Sequence, residues 1–418
     1  MVKKYRTIAE TLEWGPVVTK VILETGKMPI TAKVKPEEFT VNVQKTADLD
    51  ENFEWPLFMG QKLDDMMNGT RKVTAAYVSD EEGNKKRGGK FVTLELECDP
   101  TKYIGYVITF NGQFNIPVDY TYYVSSTNSA LKDDIFCIND GAKWLYSDDV
   151  TEAIDEKVSP KLKYVYYFPE LDEGEKIPLV IWLHGAGEGG DNPRIPINSN
   201  QVINFMKPWA QEIFGGKLAL LAPQCPTMWM DDGSGEYTKD GSTCYLRAVD
   251  SLIGHFIEEN ADKIDETRVY IGGDSNGGFM TMKQIILNPD RYAAAFPVCE
   301  ALLDSTITDE DIEKIKNLPI WFTHAKDDPV VDPNLYPVPT YQRLIEAGAE
   351  NCHFTYWDTI EDLTGLYKVD GKPYKYIGHF AWVPMLDNDC KLDFDGEPVL
   401  LDGKPTTIME WIAAQKKN

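Results

Sequence analysis

The chain is short of positive charge, of histidine and of cysteine pairs. Against 67 Asp and Glu it has 42 Lys and Arg, a formal net charge of −25. Such a balance repels a phosphate backbone, so nucleic acid is not an expected partner. No apolar run reaches the roughly 20 residues a membrane-spanning helix needs. The opening "MVKKYRTIAETLEWG" lacks the apolar core of a signal peptide. No membrane contact is expected, and the expected location is cytoplasmic, with secretion after removal of a leader as the alternative. Seven cysteines (Cys98, Cys137, Cys225, Cys244, Cys299, Cys352, Cys390) occur without C-x-x-C spacing and in odd number. That pattern speaks against a zinc site or a disulfide framework and for reduced, mostly buried thiols. Glycine-rich stretches are present, but neither a Walker lysine nor G-x-G-x-x-G spacing accompanies them, so a nucleotide-phosphate cradle is not expected.

What is present is ample apolar material, 43% of 418 residues, enough for two domains. Residues 1–150 offer short alternating or β-branched runs: "VVTKVILET", "FTVNVQK", "KVTAAYVSD", "KFVTLELEC" and "DYTYYVSS". Turn-rich pieces such as "SDEEGNKKRGGK" separate them, which predicts a β-sandwich. "LYSDDVTEAIDEKVSPK", residues 145–161, reads as a polar linker within the boundary region. The second domain, 151–418, has a different texture. Near-continuous apolar runs, "LKYVYYF", "PLVIWLHG", "LALLAPQCP", "RVYIGG", "YAAAFPVC", "LPIWFTHA" and "CHFTYWD", alternate in part with helical patterns. In "YLRAVDSLIGHFIEEN", Leu246, Val249, Ile253, Phe256 and Ile257 share one helical face. This grammar predicts an α/β fold with a largely parallel sheet covered on both sides.

One serine stands out. In "RVYIGGDSNGGFMTMKQIIL" a short strand ends at Gly272 and a helix begins at Asn276, stopped by Pro289, with Ser275 at the corner among four glycines. Gly273-Asp274-Ser275-Asn276-Gly277 has the G-x-S-x-G form of a nucleophile elbow, where flanking glycines leave room for the neighbouring strand and helix. A serine hydroxyl needs a base to remove its proton, and the base needs a third group to orient it. Five histidines are available. His255 falls on the polar side of its helix, His353 lies inside a strand, His324 precedes the acids, and His184 ends a strand that leads into a glycine-rich loop. His379, in the late loop "YKYIGHFAW", satisfies the hydrolase order of Ser, acid, His. "LPIWFTHAKDDPVV" supplies two acids, Asp327 and Asp328, between which spacing does not choose. An oxyanion hole is expected from "LHGAGEGGDN", with Gly185, Ala186 and Gly187 as candidates and the N–H of Asn276 as partner.

Together "LHGAGEGGDN", "APQCP", "GGDSNGGF", "HAKDDPVV" and "GHFAW" resemble, in sequence and order, the α/β-hydrolase esterases related to polyhydroxybutyrate depolymerases. "LEWGPVVTKVILETGK" followed by "FTVNV" resembles the opening strands of the immunoglobulin-like domain that precedes some bacterial members. The resemblance implies an immunoglobulin-like sandwich followed by an α/β-hydrolase fold, with Ser275, Asp328 and His379 as the triad. It selects Asp328 over Asp327 because the family's acid lies directly before an x-V-V segment. It also implies an oxyanion hole from Ala186, Gly187 and Asn276. Two stretches depart from the pattern, "PMLDNDCKLDFDGEPVLLDGKP" after His379 and "CPTMWMDDGSGEYTKDGSTCY" with an exposed-looking Trp229. Both are expected at the rim of the site.

The expected activity is hydrolysis of carboxylic esters, on a small molecule or a polysaccharide, with no metal or organic cofactor. A serine peptidase of the prolyl-oligopeptidase type shares the triad order and is the first alternative. A glycan- or partner-binding protein on a hydrolase scaffold is the second. Trp182, Trp229, Trp357 and Trp382 are candidates for a pocket lining, with core packing favoured for those in strands. Homo-oligomerisation through the first domain is a further expectation.

Overall fold

The structure, a computed structural model, describes residues 1–26, 33–47 and 66–417. The chain divides into two compact units, Met1–Asp148 and Asp149–Asn418. Among the described residues of the first unit there are ten strands: β1 (Val2–Leu12), β2 (Gly15–Glu24), β3 (Phe39–Thr46), β4 (Asn68–Arg71), β5 (Val73–Ser79), β6 (Phe91–Leu96), β7 (Ile108–Phe110), β8 (Asn115–Pro117), β9 (Asp119–Ser126) and β10 (Ile135–Trp144). Eight of them form one sheet in the order β4-β3-β9-β10-β1-β2-β6-β5, while β7 and β8 pair as a hairpin. The large sheet doubles over on itself. Val41, Val43 and Val124 from one half share a core with Val18, Val92 and Leu94 from the other. Arg71 on β4 reaches across to the Val18 carbonyl of β2, and Tyr5 OH accepts from the Tyr122 N–H.

All five runs named in the sequence are strands, and β3 shows why they were legible: its residues alternate strictly between core and solvent. Only Lys27, which ends "LEWGPVVTKVILETGK", lies outside the described residues. Strand β10 carried no such signal because it is mostly exposed and interrupted by Gly141.

The second unit holds an eight-stranded sheet of β11 (Thr151–Asp155), β12 (Leu162–Tyr167), β13 (Ile177–Leu183), β14 (Ala219–Gln224), β15 (Ile264–Asp274), β16 (Ala294–Val298), β17 (Ile320–Ala325) and β18 (Cys352–Trp357). Its order is β11-β12-β14-β13-β15-β16-β17-β18, antiparallel at β11 and β12 and parallel from β14 to β18. The expected linker over 145–161 therefore contains a strand, β11. As the outermost strand it is largely exposed and carries Glu152 and Asp155, so its sequence reads as polar.

Both faces of the sheet are covered, which is why its strands lack alternation. Ile181, Leu183, Val269 and Ile271 face the helices Leu246–Glu259 and Asn276–Leu287. Trp182 points the other way and meets Phe205 and Phe296 at 6.5 and 6.2 Å between ring centres. Burying a side chain of this kind contributes about 1.5–3 kcal/mol. The loops after β13, β15 and β17 emerge at the same end of the sheet, the carboxyl ends of its parallel strands, where sites form in such folds.

Candidate active site

Ser275 follows β15 directly and caps the helix Asn276–Leu287 with a backbone of φ 54° and ψ −113°. Positive φ in a non-glycine residue costs on the order of 1–3 kcal/mol. The surroundings hold it there: the Ser275 N–H donates to the Val298 carbonyl at 2.9 Å, and the Ser275 carbonyl accepts from Phe279 N–H at 2.9 Å. The four glycines are needed for space. A Cβ on Gly272 would stand 2.0 Å from the Phe296 ring, on Gly273 2.3 Å from the Leu183 carbonyl oxygen, and on Gly278 2.7 Å from Glu300 Cα. On Gly277 it would stand 1.8 Å from the Leu183 oxygen. The strand, the elbow and the helix thus approach more closely than any side chain allows.

The structure brings His379 and Asp328 to this serine. His379 Nε2 lies 2.9 Å from Ser275 Oγ, and His379 Nδ1 lies 2.7 Å from Asp328 Oδ2. Asp328 Oδ1 accepts from the N–H groups of Val330 and Val331 at 2.8 and 3.0 Å. Burial acts to raise the Asp328 carboxyl. Hydrogen bonds from His324 and His379 outweigh it and hold the group well below the usual carboxylate range. Asp327 does not join them. Its carboxylate pairs with Lys375 at 3.0 Å, and its backbone and side chain fill the space above Gly378. Trp382 sets its indole edge-on to the His379 ring, 5.7 Å between centres.

The loop after β13 forms a short turn, Ala186–Glu188, closed by the Glu188 N–H to the Gly185 carbonyl at 3.2 Å. Gly185, one of three candidates for the oxyanion hole, spends its N–H on Glu188 Oε2 at 2.8 Å. Ala186 and Gly187 open the turn, and Asn276 opens its helix, so their N–H groups have no partner within the element. Beneath this loop lie two buried carboxyls, Glu188 and Asp274. Burial pushes Asp274 up to about 7, against the Gly185 backbone and an Asn200 amide 3.2 Å away. Burial and the neighbouring Asp274 charge raise Glu188 as well. Sequence spacing gave no sign of this pair.

The other histidines divide by role. His184 is fully buried, with Nδ1 2.7 Å from the Gly185 carbonyl and Nε2 accepting from the Cys225 N–H at 2.9 Å; burial lowers it to about 4. His255 is not simply solvated: it lies 2.8 Å from Asp155 on β11. His353 packs on Trp321 and bonds Asp393 at 2.6 Å. His324, set aside on chain order, lies against the acid itself.

Two expectations about the rim are corrected. Trp229 is buried, not exposed, and its Nε1–H donates to the His184 carbonyl at 3.0 Å while its N–H donates to Asn276 Oδ1 at 2.5 Å. Glycines and acids around it made the whole stretch look polar. The stretch after His379 is taken up in its middle by the free edge of β18. Asp393 accepts from the Phe354 N–H at 2.9 Å, Thr355 Oγ1 donates to the Leu392 carbonyl at 2.7 Å, and Phe394 stacks on Tyr356. An edge strand leaves such backbone groups to be satisfied. Among the described residues no group of three or more His, Cys, Asp and Glu has the arrangement of a metal site.

Residues 4–135 match the family described as esterase Ig-like N-terminal domain, and residues 170–360 match the phospholipase/carboxylesterase family. The chain thus joins an esterase Ig-like N-terminal domain to a phospholipase/carboxylesterase domain. A crystallised thermostable esterase superposes on this one with a TM-score of 0.75 and 25% identity, covering 99% of this chain and 100% of the other. Over 166 residues the esterase is 26% identical to acyl-protein thioesterase 1 of Cryptococcus neoformans var. neoformans serotype D, which spans 37% of this chain and 67% of that one. It is also 29% identical over 168 residues to a probable carboxylesterase SOBER1-like of Arabidopsis thaliana, 37% of this chain and 61% of that one. The esterase is a hydrolase acting on esters, built from an immunoglobulin-like domain and an α/β-hydrolase domain.

Proposed function

We propose that Ser275 is the nucleophile of this esterase, His379 its general base and Asp328 the acid that orients it. The observation that carries the proposal is the continuous chain Ser275 Oγ to His379 Nε2 to Asp328 Oδ2, at 2.9 and 2.7 Å. His379 takes the hydroxyl proton as Ser275 Oγ attacks the ester carbonyl, and the C=O electrons move onto oxygen. The N–H groups of Ala186, Gly187 and Asn276 stabilise that charge, which is absent in the ground state. Collapse expels the alcohol, protonated by the His379 imidazolium, and leaves an acyl-serine. Water then repeats the sequence and releases the acid. Asp328 stays ionised throughout, stabilising the imidazolium, and its lowered carboxyl is suited to that role.

The proposed substrates are short-chain or carbohydrate-linked esters. Initial rates on p-nitrophenyl acetate, butyrate and octanoate, beside an aminoacyl p-nitroanilide and with Ser275→Ala as control, test the reading. The expected result is serine-dependent turnover of the short esters and none of the anilide. Equal ester turnover by Ser275→Ala would overturn the assignment.

A further inference from the structure

Asp328 serves two histidines. His324, the fifth residue of β17, is fully buried and places Nε2 3.0 Å from Asp328 Oδ2, the oxygen that His379 Nδ1 meets at 2.7 Å. The same Nε2 lies 3.0 Å from the Val331 carbonyl. Both neighbours are acceptors, so Nε2 must carry the proton; Nδ1 is buried without a partner among the described residues. One N–H is thus shared between the acid's functional oxygen and the end of the turn 328–331. The other end of that turn is closed by Asp328 Oδ1, which accepts from Val330 and Val331.

We propose that His324 is a positioning residue for the reaction: it fixes which oxygen Asp328 offers to His379 and limits how much of the carboxylate charge reaches that ring. The proposal rests on the triad assigned above. An Asp side chain rotates about two bonds, and Oδ1 alone, held by two backbone N–H groups, leaves Oδ2 defined by His379 only. His324 supplies the second anchor from the rigid interior of the sheet. It also competes for the Oδ2 charge. The other titratable groups around the acid are Ser275, the Cys299 thiol after β16, and Asp327 with its Lys375 partner. Among the described residues no lysine or arginine pairs with Asp328, so the two imidazoles are its cationic or donor side chains.

The test is a double-mutant cycle on p-nitrophenyl butyrate, read as kcat, KM and the pH profile of kcat/KM. His324→Leu removes the donor; His324→Gln keeps an N–H near the Nε2 position. His324→Leu is expected to lower kcat about 10- to 100-fold, the scale of a reacting group displaced by about 1 Å, with KM unchanged. The acid limb of kcat/KM should move to higher pH, since Oδ2 then gives its full charge to His379. His324→Gln should recover most of the rate. In an Asp328→Asn background His324→Leu should change kcat by less than twofold, because both act through one carboxylate. Circular dichroism and Tm identify any variant that has failed to fold, and His324→Gln carries the test if His324→Leu has. An unmoved pH profile, or a loss that adds fully to that of Asp328→Asn, would overturn the proposal. Unchanged activity in Asp328→Asn alone would instead overturn the triad, and the role of His324 with it.

Discussion

Gly277 is pressed against the backbone of Leu183: a methyl on its Cα would stand 1.8 Å from the Leu183 carbonyl oxygen. That carbonyl belongs to β13, the strand leading into the loop proposed to supply the oxyanion hole, so the contact joins two parts of the candidate site. Backbone does not move aside as a flexible side-chain end does. Gly277→Ala is expected to cost about 3 kcal/mol or more, at or above the upper end of ordinary overpacking. Urea unfolding with unchanged m-value measures it; a loss below about 0.5 kcal/mol would show that the contact is relieved cheaply.

Asp327 and Asp328 are adjacent in sequence, and the proposed mechanism uses only the second. Asp328→Asn removes the charge facing His379 and is expected to lower kcat about 10³- to 10⁴-fold, as seen when a triad acid is neutralised. Asp327→Asn breaks only a partly exposed pair with Lys375, and such pairs contribute about 0–1 kcal/mol. Its kcat should stay within a few-fold of the parent. Reversed effects in a p-nitrophenyl butyrate assay would reassign the acid.

Trp229 ties the loop after β14 to both sides of the site through His184 and Asn276. Trp229→Phe keeps the aromatic bulk and deletes the Nε1–H, leaving the buried His184 carbonyl short of a donor. The expected loss is about 1 kcal/mol in chemical denaturation. A neutral result would mean that the loop is held by packing alone.

Glu300, two residues beyond β16, is fully buried, with Oε2 accepting from the Leu302 N–H at 2.7 Å and Oε1 without a partner among the described residues. Burial pushes its carboxyl up to about 8. The folded protein therefore holds this proton to higher pH than the unfolded chain does. Its contribution is complete below about pH 4.5 and is lost as pH rises through about 8. Asp274, raised to about 7, acts in the same direction. Glu300→Gln mimics the protonated form, so it should match the parent near pH 4.5 and exceed it at pH 9, by on the order of 5 kcal/mol. Tm measured across that range checks it; parallel curves would place the lost protons elsewhere.

Elements with a local signal are legible in the order of the amino acids alone. Strict alternation exposed β3, continuous apolar runs exposed β12 to β18, and the glycines around Ser275 announced a corner at which strand and helix nearly touch. Chain order, together with the strand setting of His353, singled out His379 as the candidate base. The elements with weak local signals, β10 and β11, were missed because exposed strands carry polar residues and depend on their neighbours for hydrogen bonds. Relations that burial creates between distant residues emerge once the chain has folded. Trp229 is enclosed by a loop whose own composition is polar, and Glu188 and Asp274 share an interior that neither sequence context reveals. Periodicity reports which face of an element is buried, whereas a buried polar group finds its partners only once separate elements have packed.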